Sequence, residues 1–267
     1  MYILFDIGGT SMRIASSRDG KALAGDPIII PTPQRFDDGI VRFTEIVRTL
    51  LDGEKCDAAA GGIAGPFDEE KKYLVRAPHI PDWANKPIAQ KFSEALGGAQ
   101  VYFENDAALA ALAEAQRGAG KDHKIVAYIT IGTGVGGARV VAGRIDQNAH
   151  GFEPGHQIIE GSHTRLENFI GGKAIEARFH RLPSEISDEN VWDEVAEKLS
   201  FGLVNTMLHW SPHIVVLGGA ISRKIPIDKV QNSVQELLTI FAGVPPIVLS
   251  QFGDTSGLEG ARMILPT

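Results

Sequence analysis

The segment Val101-Tyr102-Phe103-Glu104-Asn105-Asp106 leads directly into the alanine-rich segment 107–116. The apolar residues at its start predict a strand, and the alanines predict a helix. In an open α/β sheet, such a junction lies at the carboxyl end of a strand, where ligands bind. We therefore predict that Asp106 is a catalytic base. The alternative is that Asn105 and Asp106 only cap the helix, since both residue types are common N-caps.

Composition limits the classes of protein that this chain can belong to. With 267 residues, 43% of them hydrophobic, it has room for two domains. The net charge of -7 argues against a broad nucleic-acid-binding face. Cys56 is the one cysteine, so an internal disulfide and a cysteine-based zinc site are excluded, and a reducing cytoplasm fits best. We expect no signal peptide and no membrane span, because the chain shows neither pattern.

A strand, a glycine-rich turn carrying threonine and a returning strand occur twice in the sequence. The first copy is the strand 2–6, the turn Asp6-Ile7-Gly8-Gly9-Thr10 and the strand 11–17; the second is 124–131, the turn 132–137 and 138–141. Such glycines let backbone N–H groups approach phosphate oxygens, and Asp6 offers a carboxylate that can hold magnesium through water. A plain hairpin turn is the alternative for the first copy.

The repeat predicts two similar domains that each contribute one phosphate loop. We place their boundary at Gly118-Ala119-Gly120, which gives domains 1–117 and 118–255. Neither loop has the Gly-Lys-Ser or Gly-Lys-Thr of a P-loop. The turn 132–137 returns as a strand instead of opening a helix, which disfavours a dinucleotide-binding dehydrogenase.

Other polar or glycine-rich positions are weaker candidates. Gly65 ends the predicted strand 58–64, and Gly218-Gly219 end the predicted strand 213–217; plain turns explain both equally well. Glu153 and His156 could bind a polyol, although a loop histidine is more often solvated or structural. The spacing of His150, His156 and His163 matches no metal signature.

The remaining elements follow from periodicity. Helices are predicted over 36–51 and along the four-residue repeat of apolar side chains from Val191 to Met207. We also predict a strand over 22–30, a helix led by Trp83 that ends near Gly97, a helix over 227–241, a strand over 246–250 and a final helix over 256–264. We expect Trp83 to pack in a core and not to stack on a ligand.

Taken in order, these motifs resemble the ROK family, named for its repressors, open reading frames and kinases. The resemblance runs nearly end to end and rests on Asp6-Ile7-Gly8-Gly9-Thr10, Gly65-Pro66, Glu104-Asn105-Asp106, the glycine-rich turn 132–137, Glu153-Pro154-Gly155-His156 and Gly218-Gly219. It implies an α/β fold of two ribonuclease-H-like domains, as in actin and hexokinase, with a cleft between them. It also implies that 256–267 returns to the first domain.

The resemblance implies a role for each motif. The ATP phosphates would be held by Gly8, Gly9, Thr10, Gly132, Thr133 and Gly134, with Mg²⁺ near Asp6, and Gly218 and Gly219 would border the adenosine. The hexose would be bound by Gly65, Asn105, Glu153, His156 and Glu167. Asp106 would be the base for the 6-hydroxyl of the sugar. The family resemblance also suggests a homodimer.

Two positions depart from the family pattern. The family's zinc-binding cysteine cluster is replaced by the segment 160–165, so we expect no structural zinc. His156 then lacks the constraint that the metal normally supplies. His79 stands where many relatives have asparagine.

These features predict an ATP- and magnesium-dependent kinase that acts on the 6-hydroxyl of glucose or a close relative. The alternatives are a kinase for an N-acetylhexosamine (GlcNAc or ManNAc), a polyphosphate-dependent kinase and a non-catalytic sugar sensor. Regulators of the family carry a DNA-binding segment ahead of the first loop, and Asp6 lies too near the start for one. We expect a cytoplasmic protein with no nucleic-acid or membrane partner.

Overall fold

The computed structural model describes residues 1–161 and 163–266. Ser162, in the segment that replaces the cysteine cluster, and Thr267, at the end of the predicted 256–267 segment, lie outside the described residues. The chain forms two compact units: unit 1 is Met1–Ala113 with Thr255–Thr267, and unit 2 is Glu114–Asp254. The boundary falls inside a helix and not at Gly118, where the flexible break was predicted.

The described strands and helices follow each other in an α/β order. They are β1 (Tyr2–Ile7), β2 (Ser11–Ser17), β3 (Ile28–Pro31), α1 (Phe36–Leu51), β4 (Ala58–Ile63), α2 (Ile88–Ala95), β5 (Gln100–Asn105), α3 (Asp106–Arg117), β6 (Ile125–Ile131), β7 (Val135–Val141), β8 (Arg144–Ile145), β9 (Ile158–Glu160), β10 (Thr164–Arg165), α4 (Glu167–Ile170), α5 (Gly172–Phe179), α6 (Glu189–Trp210), β11 (Ile214–Gly218), α7 (Ile227–Leu237), β12 (Ile247–Leu249) and α8 (Ser256–Met263).

The two units contain sheets of the same topology. In unit 1 the strand order is β3-β2-β1-β4-β5, and in unit 2 it is β8-β7-β6-β11-β12. Each sheet begins with an antiparallel hairpin and continues with two strands parallel to the first. Parallel strands end at the same edge, so each sheet has one edge where three strands end in loops. The predicted α/β class and the duplication are confirmed.

The core of unit 1 is aromatic. The Phe5 ring lies 5.6 Å from Phe43, 5.1 Å from Phe92 and 5.6 Å from Phe103, measured between ring centroids. Trp83 is fully buried, and its indole N–H donates to the Pro33 carbonyl at 3.0 Å. A buried tryptophan with a satisfied N–H is a core residue. The prediction that Trp83 packs in the core is therefore confirmed.

Each unit contains a predicted helix with a buried face, α6 in unit 2 and α8 in unit 1. In unit 2 the four-residue stripe on α6 is buried, from Val191 to Met207. In unit 1, α8 packs on β1 and β4. Gly260 permits close approach of α8 to α3, because a β-carbon there would collide with the Leu109 backbone. These contacts join α8 to unit 1.

Three predicted elements are wrong in extent. The strand over 22–30 is limited to Ile28–Pro31, because Pro27 has no N–H for a ladder. The helix after Trp83 begins only at Ile88, after Pro87 and a left-handed Asn85 with φ of 59°. The helix from Ile227 ends at Leu237, where Leu238 leaves the helical conformation and turns into the core.

Candidate active site

Asp106 is the first residue of α3, directly after β5. The amide oxygen of Asn105 accepts a hydrogen bond from Ala108 N at 3.1 Å, which is the bond that an N-cap makes. Asp106 Oδ1 accepts from the adjacent Ala107 N at 2.9 Å. The capping alternative therefore describes Asn105, while the Asp106 carboxylate lies one position further on.

The environment of Asp106 makes it a stronger base than an ordinary aspartate. Burial raises the pKa of Asp106 from 3.8 to about 6, and the hydrogen bond from Ala107 N opposes this rise in part. A general base is most effective when its pKa lies near the working pH. Desolvation thus gives this carboxylate a basicity suited to accepting a proton near neutrality.

Gly62 on β4 allows Asp106 to take this position. A β-carbon at Gly62 would come within 2.8 Å of the Asp106 Cα. In the sheet register Gly62 lies between Asp6 on β1 and Glu104 on β5. Sequence reasoning missed Gly62, although the run of small residues over 58–62 was a visible signal of close approach.

Gly65 and Glu104 both lie beside Asn105, at the junction of β5 and α3. Gly65 has φ of +130°, and the Arg76 carbonyl contacts the position where its β-carbon would lie. Its carbonyl faces the Asn105 side-chain amide at 3.4 Å. Glu104 accepts from Asn105 N at 3.0 Å and pairs with Lys71 at 2.6 Å. The turn alternative thus explains why position 65 is glycine, and the turn lies beside Asn105.

The first glycine loop forms the tip of the β1–β2 hairpin. Gly8 N donates to Ser11 O at 3.0 Å, and Thr32 holds the loop from outside through its hydroxyl to Gly8 O at 2.7 Å and its N–H to Thr10 O at 2.9 Å. A β-carbon on Gly9 would collide with the His79 side chain. The loop thus joins two paired strands, and its predicted phosphate-binding role stays a prediction. Thr32 and His79 are loop contacts that the sequence did not reveal.

Asp6 lies at the end of β1, below this loop. Its carboxylate is 3.5 Å from the Arg13 guanidinium. A β-carbon at Gly257, near the start of α8, would lie 2.6 Å from the Asp6 Cγ. Carboxylate oxygens are the ligands that Mg²⁺ prefers. The position and chemistry of Asp6 thus fit a role in holding Mg²⁺ through water.

The second glycine loop is fixed by the start of α5. Gly132 N donates to Gly134 O at 2.9 Å, Gly172 N to Gly132 O at 2.8 Å and Lys173 N to Thr133 O at 3.1 Å. A β-carbon at Gly132 would meet no heavy atom within 4 Å, and no positive φ is recorded there. Packing in the described structure therefore does not require glycine at 132, and the predicted place of this glycine beside the phosphates stays a prediction.

Gly218 and Gly219 differ from Gly132 in this respect. A β-carbon on Gly218 would collide with the Tyr128 hydroxyl, and Gly219 has φ of +83° beside the Ile131 carbonyl. Both glycines are explained by packing of β11 against β6. Their predicted place beside the adenosine stays a prediction.

Two of the segments that carry the predicted hexose-binding residues of unit 2 contact Val135, at the start of β7. Glu167 Oε2 accepts from Val135 N at 2.9 Å. Gly155, between Glu153 and His156, packs so closely that its β-carbon would come within 2.9 Å of the Val135 side chain. His156 itself is exposed, with its Nδ1 at 3.0 Å from the Arg165 guanidinium. Glu167 and the turn that carries Glu153 and His156 therefore both border the start of β7.

A crevice of about 550 Å³ lies along α5. It is lined by Lys173, Glu176, Ala177, His180, Arg181, Leu182 and Glu185. The crevice begins at Lys173, whose N–H is bonded to the second loop. Sequence reasoning did not find this crevice, because its lining combines three residues of α5 with four residues of the segment that follows the helix.

Within 1–161 and 163–266, no group of three or more His, Cys, Asp or Glu side chains is arranged to hold a metal ion. In the same ranges, none of the helices combines the length and apolarity that a membrane span requires.

The duplicated sheet with its two glycine loops is the actin- and hexokinase-like fold. The ROK family profile matches residues 2–267, and the chain belongs to this family. A glucokinase from Thermotoga maritima is 27% identical, covering 97% of this chain and 95% of that protein. An N-acetyl-D-glucosamine kinase from Histophilus somni is 26% identical, covering 99% and 98%. A ROK family glucokinase from Streptomyces griseus, solved with glucose and AMPPNP, is 23% identical with a TM-score of 0.84 and covers 98% of both chains.

Proposed function

We propose that this protein is an ATP-dependent kinase that phosphorylates the 6-hydroxyl of a hexose, glucose or a close relative. The observation that carries the proposal is the Asp106 carboxylate at the carboxyl end of β5, with its pKa raised to about 6. The relatives named glucokinase and N-acetyl-D-glucosamine kinase support the reaction class. We also propose that it works in the cytoplasm as a homodimer, as the family resemblance suggests.

Asp106 acts on the acceptor in this proposal. A sugar hydroxyl is a poor nucleophile, and the transferred phosphoryl group passes through a loose, charged transition state. The hydroxyl oxygen bonds to the γ-phosphorus, the bond from that phosphorus to the ADP oxygen breaks, and the hydroxyl proton moves to the Asp106 carboxylate. With a pKa of about 6, this group is ionised at neutral pH and still more basic than an ordinary aspartate.

The glycine loops act on the donor. Gly132 leaves open space where a side chain would lie, which suits direct approach of phosphate oxygens to its backbone. We assign the same role to Thr133 and Gly134, and to Gly8, Gly9 and Thr10 in unit 1. Asp6 would hold Mg²⁺ through water, and Mg²⁺ neutralises charge on the phosphates when bound. Gly218 and Gly219 would border the nucleoside.

The remaining polar residues bind the hexose. In unit 1 we assign this role to Gly65 and Asn105, whose side-chain amide lies beside the Gly65 carbonyl. In unit 2 we assign it to Glu153, His156 and Glu167. Glu167 also fixes the start of β7 through Val135 N, so this residue links the sugar-binding cluster to the second loop.

An N-acetylhexosamine is the second candidate substrate. The glucokinase of T. maritima and the N-acetyl-D-glucosamine kinase of H. somni are 27% and 26% identical to this chain, so similarity does not discriminate between their substrates. Substrate choice between such sugars depends on the pocket around one substituent. Two further alternatives are a kinase that uses polyphosphate as donor and a non-catalytic sugar sensor. The experiment described next separates them.

The test is sugar-phosphate formation from glucose, mannose, GlcNAc and ManNAc, with ATP or polyphosphate as donor and with or without Mg²⁺. We expect Asp106→Asn to lower kcat by about 100- to 10,000-fold with a smaller change in KM. Asp52→Asn is the control, because Asp52 is an exposed left-handed residue at the end of α1, where asparagine fits equally well. No sugar phosphate with any pair would favour a sensor. Equal rates in wild type and Asp106→Asn would remove Asp106 from its role.

A further inference from the structure

Arg165 lies against the ring of His156. Its Nη1 is 3.0 Å from His156 Nδ1. The contact is made across a small hairpin, in which β9 follows the turn that carries His156 and β10 returns antiparallel to it. The hairpin thus brings a residue nine positions later in the chain back to the histidine.

The chemistry of this contact fixes which ring nitrogen carries the proton. A guanidinium has five N–H donors and no acceptor. Nδ1 of His156 must therefore accept, and the proton of the neutral ring must lie on Nε2. We propose that Arg165 is the positioning residue of His156: it holds the ring in the Nε2–H tautomer, so that Nε2 donates to a hydroxyl oxygen of the sugar. This inference rests on the proposed function, because it concerns the hexose-binding role of His156.

Both partners are attached to fixed backbone, which distinguishes this pair from an ordinary surface contact. Arg165 N donates to Asn168 Oδ1 at 3.3 Å, and the next residue, Leu166, is buried and donates through its N–H to Gln157 O at 3.0 Å. His156 N donates to Glu153 O at 3.0 Å. The backbones of the two residues are thus ordered before the side chains meet, which lowers the entropic cost of aligning them.

The tautomer itself can be measured without substrate. Long-range ¹H–¹⁵N correlation of the histidine rings distinguishes the Nε2–H tautomer, the Nδ1–H tautomer and the cation. The protein has 8 histidines, and the spectrum of His156→Gln identifies the signal of His156. At about pH 8 we expect a single Nε2–H pattern in wild type. Arg165→Ala should give a mixture, and Arg165→Lys, which keeps a cationic donor, should restore the wild-type pattern.

The kinetic arm uses the hexose and donor that give the highest turnover. We expect Arg165→Ala to raise the KM for sugar about tenfold or more with a smaller change in kcat, and Arg165→Lys to recover part of that loss. Glu160→Gln is the matched control. It removes the ion pair between this hairpin and Lys198 at 3.3 Å without touching His156. It should leave both the tautomer and the KM for sugar at wild-type values.

The two arms separate the failure of this inference from the failure of the proposed function. The same tautomer pattern in wild type and Arg165→Ala would overturn the role of Arg165, whatever the kinetics show. An equal rise in KM for Arg165→Ala and Glu160→Gln would reduce Arg165 to a support of the hairpin, and would also overturn it. If wild type phosphorylates no sugar, the proposed function and the sugar-binding half of this inference fail together, while the tautomer spectra still decide whether Arg165 holds the ring.

Discussion

The Cα of Asp106 lies so close to Gly62 that a β-carbon added to this glycine would come within 2.8 Å of it. The carboxylate of Asp106 is therefore positioned by the strand beside its own, as well as by the helix that it begins. Any side chain at 62 must displace the start of α3 or the end of β4. The placement of the candidate base thus depends on a residue that carries no chemistry.

We predict that Gly62→Ala lowers kcat by about tenfold or more, because a displacement of even 1 Å at a reacting group is costly. The same substitution should destabilise the fold by about 1–3 kcal/mol through overpacking. The measurements are steady-state kinetics and denaturant unfolding. Gly25→Ala is the control, since a β-carbon there would meet no heavy atom within 4 Å. Unchanged kcat in Gly62→Ala would show that the site tolerates this shift.

The raised pKa of Asp106 predicts how activity depends on pH. Burial raises the pKa to about 6, and a protonated carboxyl cannot accept the hydroxyl proton. We therefore expect kcat/KM for the sugar to fall tenfold per pH unit below about 6 and to level off above it. The measurement is the pH profile of kcat/KM in wild type. A profile that stays flat down to about pH 4.5 would mean that the base has an ordinary aspartate pKa.

The same group predicts a dependence of stability on pH. The folded pKa of about 6 lies above the value of 3.8 for an unperturbed aspartate, so the folded state binds the proton more tightly. This contribution is fully present below about pH 4 and is lost as pH rises through about 6. Asparagine is uncharged at every pH, so Asp106→Asn removes this dependence of stability on pH. At neutral pH the variant avoids the cost of an ionised carboxylate at this site and should be more stable than wild type by up to about 3 kcal/mol. Urea unfolding at about pH 4 and pH 8 measures both ends, and a variant less stable than wild type at pH 8 would contradict the expectation.

Local sequence patterns predicted the bounds of a helix where residues close to it in the sequence determine where it ends. The bounds of α1 follow from its apolar spacing and from Asp52, which takes the left-handed conformation that ends the helix. The predicted start of the next helix, at Trp83, is wrong. The helix begins at Ile88, because Pro87 prevents it from extending further toward the N-terminus.

Long-range contacts in the candidate site could not be predicted in this way. Gly132 and Gly218 both follow a strand and have the same local signal, yet only Gly218 is required by packing, against Tyr128. Gly62 and Arg165 gain their importance from partners on other elements, Asp106 at the start of α3 and His156 in the turn before β9. A single sequence shows the residue types in these positions, but the distances that separate their roles arise only in the folded sheet.

Glu114 is a position in unit 2 where a single substitution should lower the stability of the fold. Its buried carboxylate accepts from Ser250 Oγ at 2.6 Å, Phe252 N at 2.9 Å, Gln251 N at 3.2 Å and Ala119 N at 2.8 Å. These bonds join the first residue of unit 2 to a segment near its end. Glutamine replaces one acceptor oxygen with a donor, so buried N–H groups lose their partner.

We therefore expect Glu114→Gln to destabilise the protein by about 2–4 kcal/mol. The measurement is the midpoint of urea unfolding followed by fluorescence. Glu197→Gln, at an exposed position on α6, is the matched control and should stay within about 0.5 kcal/mol of wild type. A midpoint for Glu114→Gln that equals the control would show that the four donors find other partners.

Gly132 gives the sharpest test of the second phosphate loop, because stability and donor binding should move independently. No heavy atom lies within 4 Å of the position of its β-carbon, so alanine fits the folded protein. Gly→Ala at a compatible position stabilises a protein by about 0.4–1 kcal/mol, because it reduces the freedom of the unfolded chain.

We expect Gly132→Ala to be as stable as wild type or slightly more stable, while the KM for ATP rises about tenfold, since the methyl group occupies the space that the phosphate needs. Gly243→Ala, also in unit 2 and also facing open space, should reproduce the stability change with no change in KM. A wild-type KM for ATP in Gly132→Ala would remove this loop from the donor site, whereas a loss of stability would mean that the glycine serves the fold.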